Sequence, residues 1–141
     1  MVRAFGLLSG GLDSILAVKV LQDQGIEITG VWGKGGERSG PLGRLAVPGG
    51  IVHLDHLSAG ELDRLEIAGV AGVVAPGADL AALLDREWPF TIVVLEGFGM
   101  HPLTPQTQEI LAAAEGRTIY VDGTTELRVG VRRPRLILLE P

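Results

Sequence analysis

The sequence contains no cysteine. A disulfide framework and a thiolate zinc site are therefore excluded, and any sulfur this chain moved would have to come from a partner or from free sulfide. Long apolar runs are missing as well, since none approaches the roughly 18 residues that suggest a membrane span. The short apolar run after Arg3 is broken by glycine before the core of a signal peptide could form, so the expected location is cytoplasmic with no membrane partner. Excess positive charge is also lacking. Lys and Arg number 12 against 17 Asp and Glu, a net charge of −5, which speaks against broad electrostatic capture of nucleic acid or an anionic membrane.

Glycine is what the chain has in plenty, 21 of 141 residues, roughly twice the usual 7%. The glycines lie between apolar runs and read as punctuation in an alternation of strands and helices. A chain of this length is expected to form one α/β domain, 1–141, burying about two-thirds of the surface its unfolded form exposes.

The organising stretch is Ser9-Gly10-Gly11-Leu12-Asp13-Ser14. It follows the apolar run Ala4 to Leu8 and opens a helical pattern in which Leu12, Ile15, Leu16 and Val20 recur at steps of three and four. The expected order is strand, glycine turn, then a helix from Leu12 to Gln24 stopped by Gly25, and a second strand from Ile26 to Trp32. Paired glycines bring the backbone close to a ligand, and free N–H groups at a helix start attract an anion. A plain strand-to-helix turn capped by Asp13 or Ser14 is the competing reading.

SGGLDS in this setting resembles the signature loop of the PP-loop ATP pyrophosphatases, over about residues 3–31. The resemblance implies a βαβ unit that binds ATP and Mg²⁺. Ser9, Gly10, Gly11 and Ser14 would contact the pyrophosphate portion, and Asp13 would be the catalytic, metal-facing residue. It further implies an ATP-dependent adenylating transferase or ligase that activates a carbonyl and releases pyrophosphate, chemistry of the tRNA-thiolating or amidating kind. Such enzymes carry more strands, an adenine-binding segment and a substrate domain than 141 residues can hold. A partner subunit or tRNA is thus part of the expectation, as is a homo-oligomer formed through an unpaired sheet edge. The alternative is a non-catalytic nucleotide- or phosphate-binding module, or an interaction protein, lacking the catalytic half. From Val31 onward the chain is dimly similar to uncharacterised bacterial proteins and implies no activity.

Gly33 to Pro41 carries four glycines and three charges without apolar periodicity and reads as a Gly-rich loop, 33–41. It leaves the second strand at the edge where SGGLDS lies, so Lys34 and Arg38 are candidates to reach phosphate oxygens, with a solvated connector as the bland alternative. Short strands are expected at Leu45–Val47 and Ile51–Leu54, followed by the polar corner His53-Leu54-Asp55-His56. Two imidazoles and a carboxylate could begin a metal site, but no further donor nearby completes one. Ser58 and Glu61 have capping-box spacing for a helix to Ala68, closed by Gly69.

Strands are expected at Val70–Ala75 and at Phe90–Leu95, with a helix between them from Ala78 to Glu87 that buries Leu80, Leu83 and Leu84. Phe90–Leu95, apolar throughout, belongs in the middle of a sheet. It is followed by Glu96-Gly97-Phe98-Gly99-Met100-His101-Pro102, a second candidate site in which Glu96, Gly97, Phe98 and His101 occupy the carboxyl end of a central strand. A glycine turn with Phe98 folded into the core is the equal alternative. Thr104 should cap a helix over Pro105–Ala114, and Thr118–Val121 with Thr124–Val131 should form a hairpin around Asp122-Gly123, ahead of a last strand at Leu136–Leu139. The expected fold is three-layer α/β, with a mainly parallel central sheet, flanking helices and a C-terminal antiparallel hairpin.

Overall fold

The computed structural model describes residues 16–20, 25–125 and 133–138. In chain order the elements are β1 (Leu16–Val20), β2 (Gly25–Thr29), β3 (Trp32–Lys34), β4 (Glu37–Gly43), β5 (Ile51–His53), β6 (His56–Leu57), α1 (Ala59–Ala68), β7 (Gly72–Ala78), α2 (Leu80–Leu84), β8 (Thr91–Phe98), α3 (Pro105–Ala114), β9 (Thr118–Asp122) and β10 (Arg135–Leu138). The strands join in the order β1-β2-β10-β9-β4-β5-β7-β8-β3, with β6 beside β7.

Two kinds of pairing meet in this sheet. β1, β2, β10, β9 and β4 are antiparallel to one another, as β3 is to β8. β4, β5, β7 and β8 run parallel, and β6 is parallel to β7. Of these, β7 and β8 are the ones the sequence writes as largely apolar runs, because both of their faces are covered. On one face Val52, Val73, Ala75, Ile92 and Val94 pack with Leu62 and Leu65 of α1 and Leu83 of α2. On the other, Ile51, Val74, Val93 and Leu95 join Ile28, Ile119, Val121 and Leu136 of the antiparallel strands and Leu111 of α3.

One bend carries the chain from β2, near one end of this order, to β3 at the other. Gly30 donates its N–H to Pro134 O at 2.8 Å, while Val31 donates to Val94 O at 2.9 Å. The chain thus pairs with β10 up to Gly30 and with β8 directly afterwards. A β-carbon on Gly30 would lie 2.6 Å from the Val94 carbonyl oxygen, so only glycine lets the backbones approach this closely.

Several expectations are overturned. The sheet is mixed and strand pairing dominates, with only three helices among the described residues, so the fold is not three-layer, mainly parallel α/β. Residues 16–20 form a strand antiparallel to β2 where a helix over 12–24 was expected. Leu16-Ala17-Val18-Lys19-Val20 satisfies the alternation of a strand as well as the helical spacing, and pairing with Gly25–Thr29 decides between them. The helix expected to link the two strands of a βαβ unit over 3–31 is thus replaced by strand at 16–20, and residues 3–15 of that unit lie outside the described residues. The segment 33–41 is not a loop: it contains the end of β3 and most of β4, whose side chains mostly face solvent and so leave no apolar signature.

Leu45–Val47 is loop, with Leu45 80% exposed. α2 is a short helix that buries Ala82 and Leu83 and leaves Leu80 and Leu84 outside. β7 continues past Pro76 by a register shift between Ala75 and Gly77. In the hairpin region, β9 pairs with Arg135–Leu138, and residues 126–131 of the expected second arm lie outside the described residues. The capping signals held. Ser58 accepts from the Glu61 N–H and Gly69 closes α1 in the left-handed conformation, and Thr104 caps α3 with Pro105 in its first turn.

Candidate functional site

Parallel strands deliver their carboxyl ends to one edge, where open sheets of this kind hold ligands. Arg44 follows β4 there, His53 ends β5, His56 lies in β6, Asp79 follows β7, and Glu96 and Gly97 are near the end of β8. His101 lies just beyond, so the three histidines of the sequence share this edge. The ladder places His56 opposite Gly77 and Gly77 opposite Gly97. The Glu96–His101 segment folds back over these glycines: Gly99 donates to Ala78 O at 2.8 Å, and His101 Nε2 donates to Phe98 O at 2.8 Å.

Hydrogen bonding assigns the proton on each ring, because a carbonyl or carboxylate only accepts and a guanidinium only donates. His56 donates from Nε2 to Asp79 Oδ1 at 2.8 Å, which leaves its enclosed Nδ1 without a partner. His53 is 7% exposed, and its Nδ1 accepts from Arg44 Nη1 at 3.3 Å. Its proton then resides on Nε2, which is enclosed and has no hydrogen-bond partner. Burial, and secondly the Arg44 charge, push the His53 pKa from 6.5 down to about 4, against a smaller upward pull from Asp55. Arg44 also contacts Asp55 Oδ1 at 3.4 Å.

His56 and Asp79 have the pairing of a general base and its orienting carboxylate. The free nitrogen of that pair is sealed from solvent, so in this geometry it clasps the corner and has no access to a substrate proton. Among the described residues no group of three or more His, Asp or Glu could hold a metal ion. Phe98 is 41% exposed and meets Trp32 edge-on with ring centroids 6.2 Å apart, so it is not folded into the core. Met100 beside it is 78% exposed.

Of the residues expected to bind phosphate, Lys34 and Arg38 are among the described residues and engage the segment before β8. Lys34 Nζ is 2.7 Å from Glu87 Oε2, and Arg38 donates to Pro89 O at 3.3 Å. The structure brings the two cations together on the short segment before β8, where each already has a partner. Ser9, Gly10, Gly11, Asp13 and Ser14 lie outside the described residues.

Arg44 and Asp79 are not marked in the sequence, because isolated charged residues carry no spacing signal. His53-Leu54-Asp55-His56 and the Glu96–His101 loop were each visible as polar stretches after apolar strands, but only the ladder through Gly77 puts them on one edge. Among the described residues no helix is long and apolar enough to cross a membrane. Comparison with known proteins yields no match to a family model, to a curated protein or to a solved structure.

Proposed function

We propose that this chain is a nucleotide- or phosphate-binding module that does not adenylate a substrate unaided. The stretch proposed to hold the anion is Ser9–Ser14, because paired glycines permit the backbone conformations in which successive N–H groups face a phosphate. The observation that favours binding over catalysis is the engagement of Lys34 with Glu87, together with that of Arg38 with Pro89. Displacement at an α-phosphate depends on positive charge arranged around the phosphates beforehand. Cations already committed to another segment do not supply it. The strand at Leu16–Val20 points the same way, since it leaves no room for a long helix whose amino end would reinforce the loop.

The test is incubation of the full chain with radiolabelled ATP and Mg²⁺, alongside thermal melts with ATP and with pyrophosphate. A ligand that binds only the folded form at 100 times its Kd stabilises it by about 2.7 kcal/mol. Both ligands should raise the Tm without release of pyrophosphate, and Asp13→Asn should weaken the Mg²⁺-dependent part of the shift. Pyrophosphate release by the wild type would favour the adenylating enzyme. No shift with either ligand would leave an interaction protein with turns at its glycines.

A further inference from the structure

We infer that the seam between β4 and β5 is an acid-opened joint, held shut by the cluster of Arg44, His53 and Asp55. β4 is the strand through which the antiparallel and parallel parts of the sheet are joined. Its pairing with β5 is confined to Leu42 with Ile51 and Gly43 with Val52, whereas its pairing with β9 runs from Glu37 to Pro41. The cluster lies immediately beyond the short seam. Arg44 comes from the β4 side, and His53 and Asp55 come from the β5 side.

The joint depends on a neutral imidazole. His53 Nδ1 receives the Arg44 guanidinium only while its lone pair is free, and a proton there would oppose two cations in a site that is 7% exposed. The rest of the surroundings offer little compensation. Asp55 is already shared with Arg44, and His56 directs its Nε2 at Asp79. The facing part of β7, Val73, Val74 and Ala75, is apolar. Acid therefore converts the tie across the seam into a repulsion, while the β7–β8 pairing of Gly72–Ala75 with Thr91–Val94 contains nothing that titrates.

The direction follows from linkage. The His53 pKa lies near 4 in the folded chain and near 6.5 when unfolded, so the unfolded form takes up the proton more readily between those values. Stability from this residue is intact above about pH 6.5 and declines as the pH falls toward 4. From pH 7 to pH 5 the corresponding rise in the unfolding constant is about twenty-fold.

Urea unfolding of the full chain at pH 7 and pH 5 tests this against His53→Gln, which keeps a neutral polar side chain at both values. The wild type should lose stability by that factor, and the variant should lack that part of the pH dependence. Native-state amide exchange, corrected for intrinsic rates, should show Ile51 and His53, which alternate with the β7-bonded Leu54 and so face β4, losing protection at pH 5 while residues 92–95 keep theirs. Arg44→Gln, a change in an exposed loop, should give a shallower pH dependence and serves if His53→Gln does not fold. Equal pH dependence in the wild type and whichever variant folds overturns the proposal. Loss of protection at Ile51 and His53 in step with 92–95 overturns it as well.

Discussion

Arg86 lies over the face of Trp88, its guanidinium carbon 3.8 Å from the ring centroid. The same guanidinium reaches back to α1, at 3.0 Å from Asp63 Oδ1 and 2.5 Å from Glu66 Oε1. These bonds hold the Glu66 carboxyl below its usual range and raise Arg86 further above its own. A planar fork can stack on an indole and serve two carboxylates together, whereas an ammonium is a single point of charge.

Arg86→Lys should accordingly lower the melting temperature nearly as much as Arg86→Ala, although the charge is kept. Circular dichroism melts of the two variants and the wild type check this. A lysine variant that melts like the wild type would mean that charge alone ties α1 to the segment after α2.

Gly123 and Gly60 should respond to alanine with opposite signs. A β-carbon on Gly123 would collide with the Lys34 backbone, where the chain after β9 meets the end of β3. Overpacking of that kind should cost about 2–4 kcal/mol, because backbone cannot move aside as a side chain can. Gly60, in the first turn of α1, has nothing within 4 Å of an added β-carbon. Gly60→Ala should stabilise by about 0.5–1 kcal/mol through helix propensity. Urea denaturation resolves both, and a tolerated Gly123→Ala would contradict the close approach.

Leu62 and Ile67 sit five residues apart on α1 and make a matched pair. Leu62 is fully buried and Ile67 is 87% exposed. Leu62→Ala should cost about 2–5 kcal/mol by opening a cavity beneath the helix. Ile67→Ala should stay within about 0.5 kcal/mol. Comparable losses in the two variants would show that the exposed isoleucine is covered in solution, which sedimentation or light scattering would then reveal as association.

The elements legible in the sequence were those announced by local chemistry. Ser58 and Glu61 located α1, Thr104 and Pro105 located α3, and the β-branched run before Glu96 located β8, because a cap or an unbroken apolar run acts within a few residues. β4 was illegible for the opposite reason: Glu37, Arg38 and Ser39 face water, and its place is set by β9 some eighty residues later. Leu16–Val20 carried both periodicities, and only its partner strand separated them. The same limit applied to the candidate site. Each polar stretch was visible alone, whereas the edge that unites His53, His56 and His101 is a property of strand order.

The tie from Gly30 to Pro134 sets a timetable for the newborn chain. Its first half is present early, but the other half emerges more than a hundred residues later, after every intervening strand has been synthesised. Until then residues near Gly30 have no β10 to pair with, and this seam stays open on the ribosome. Completion is thus a late, long-range event, of the kind that folds slowly and exposes strand edges while it waits.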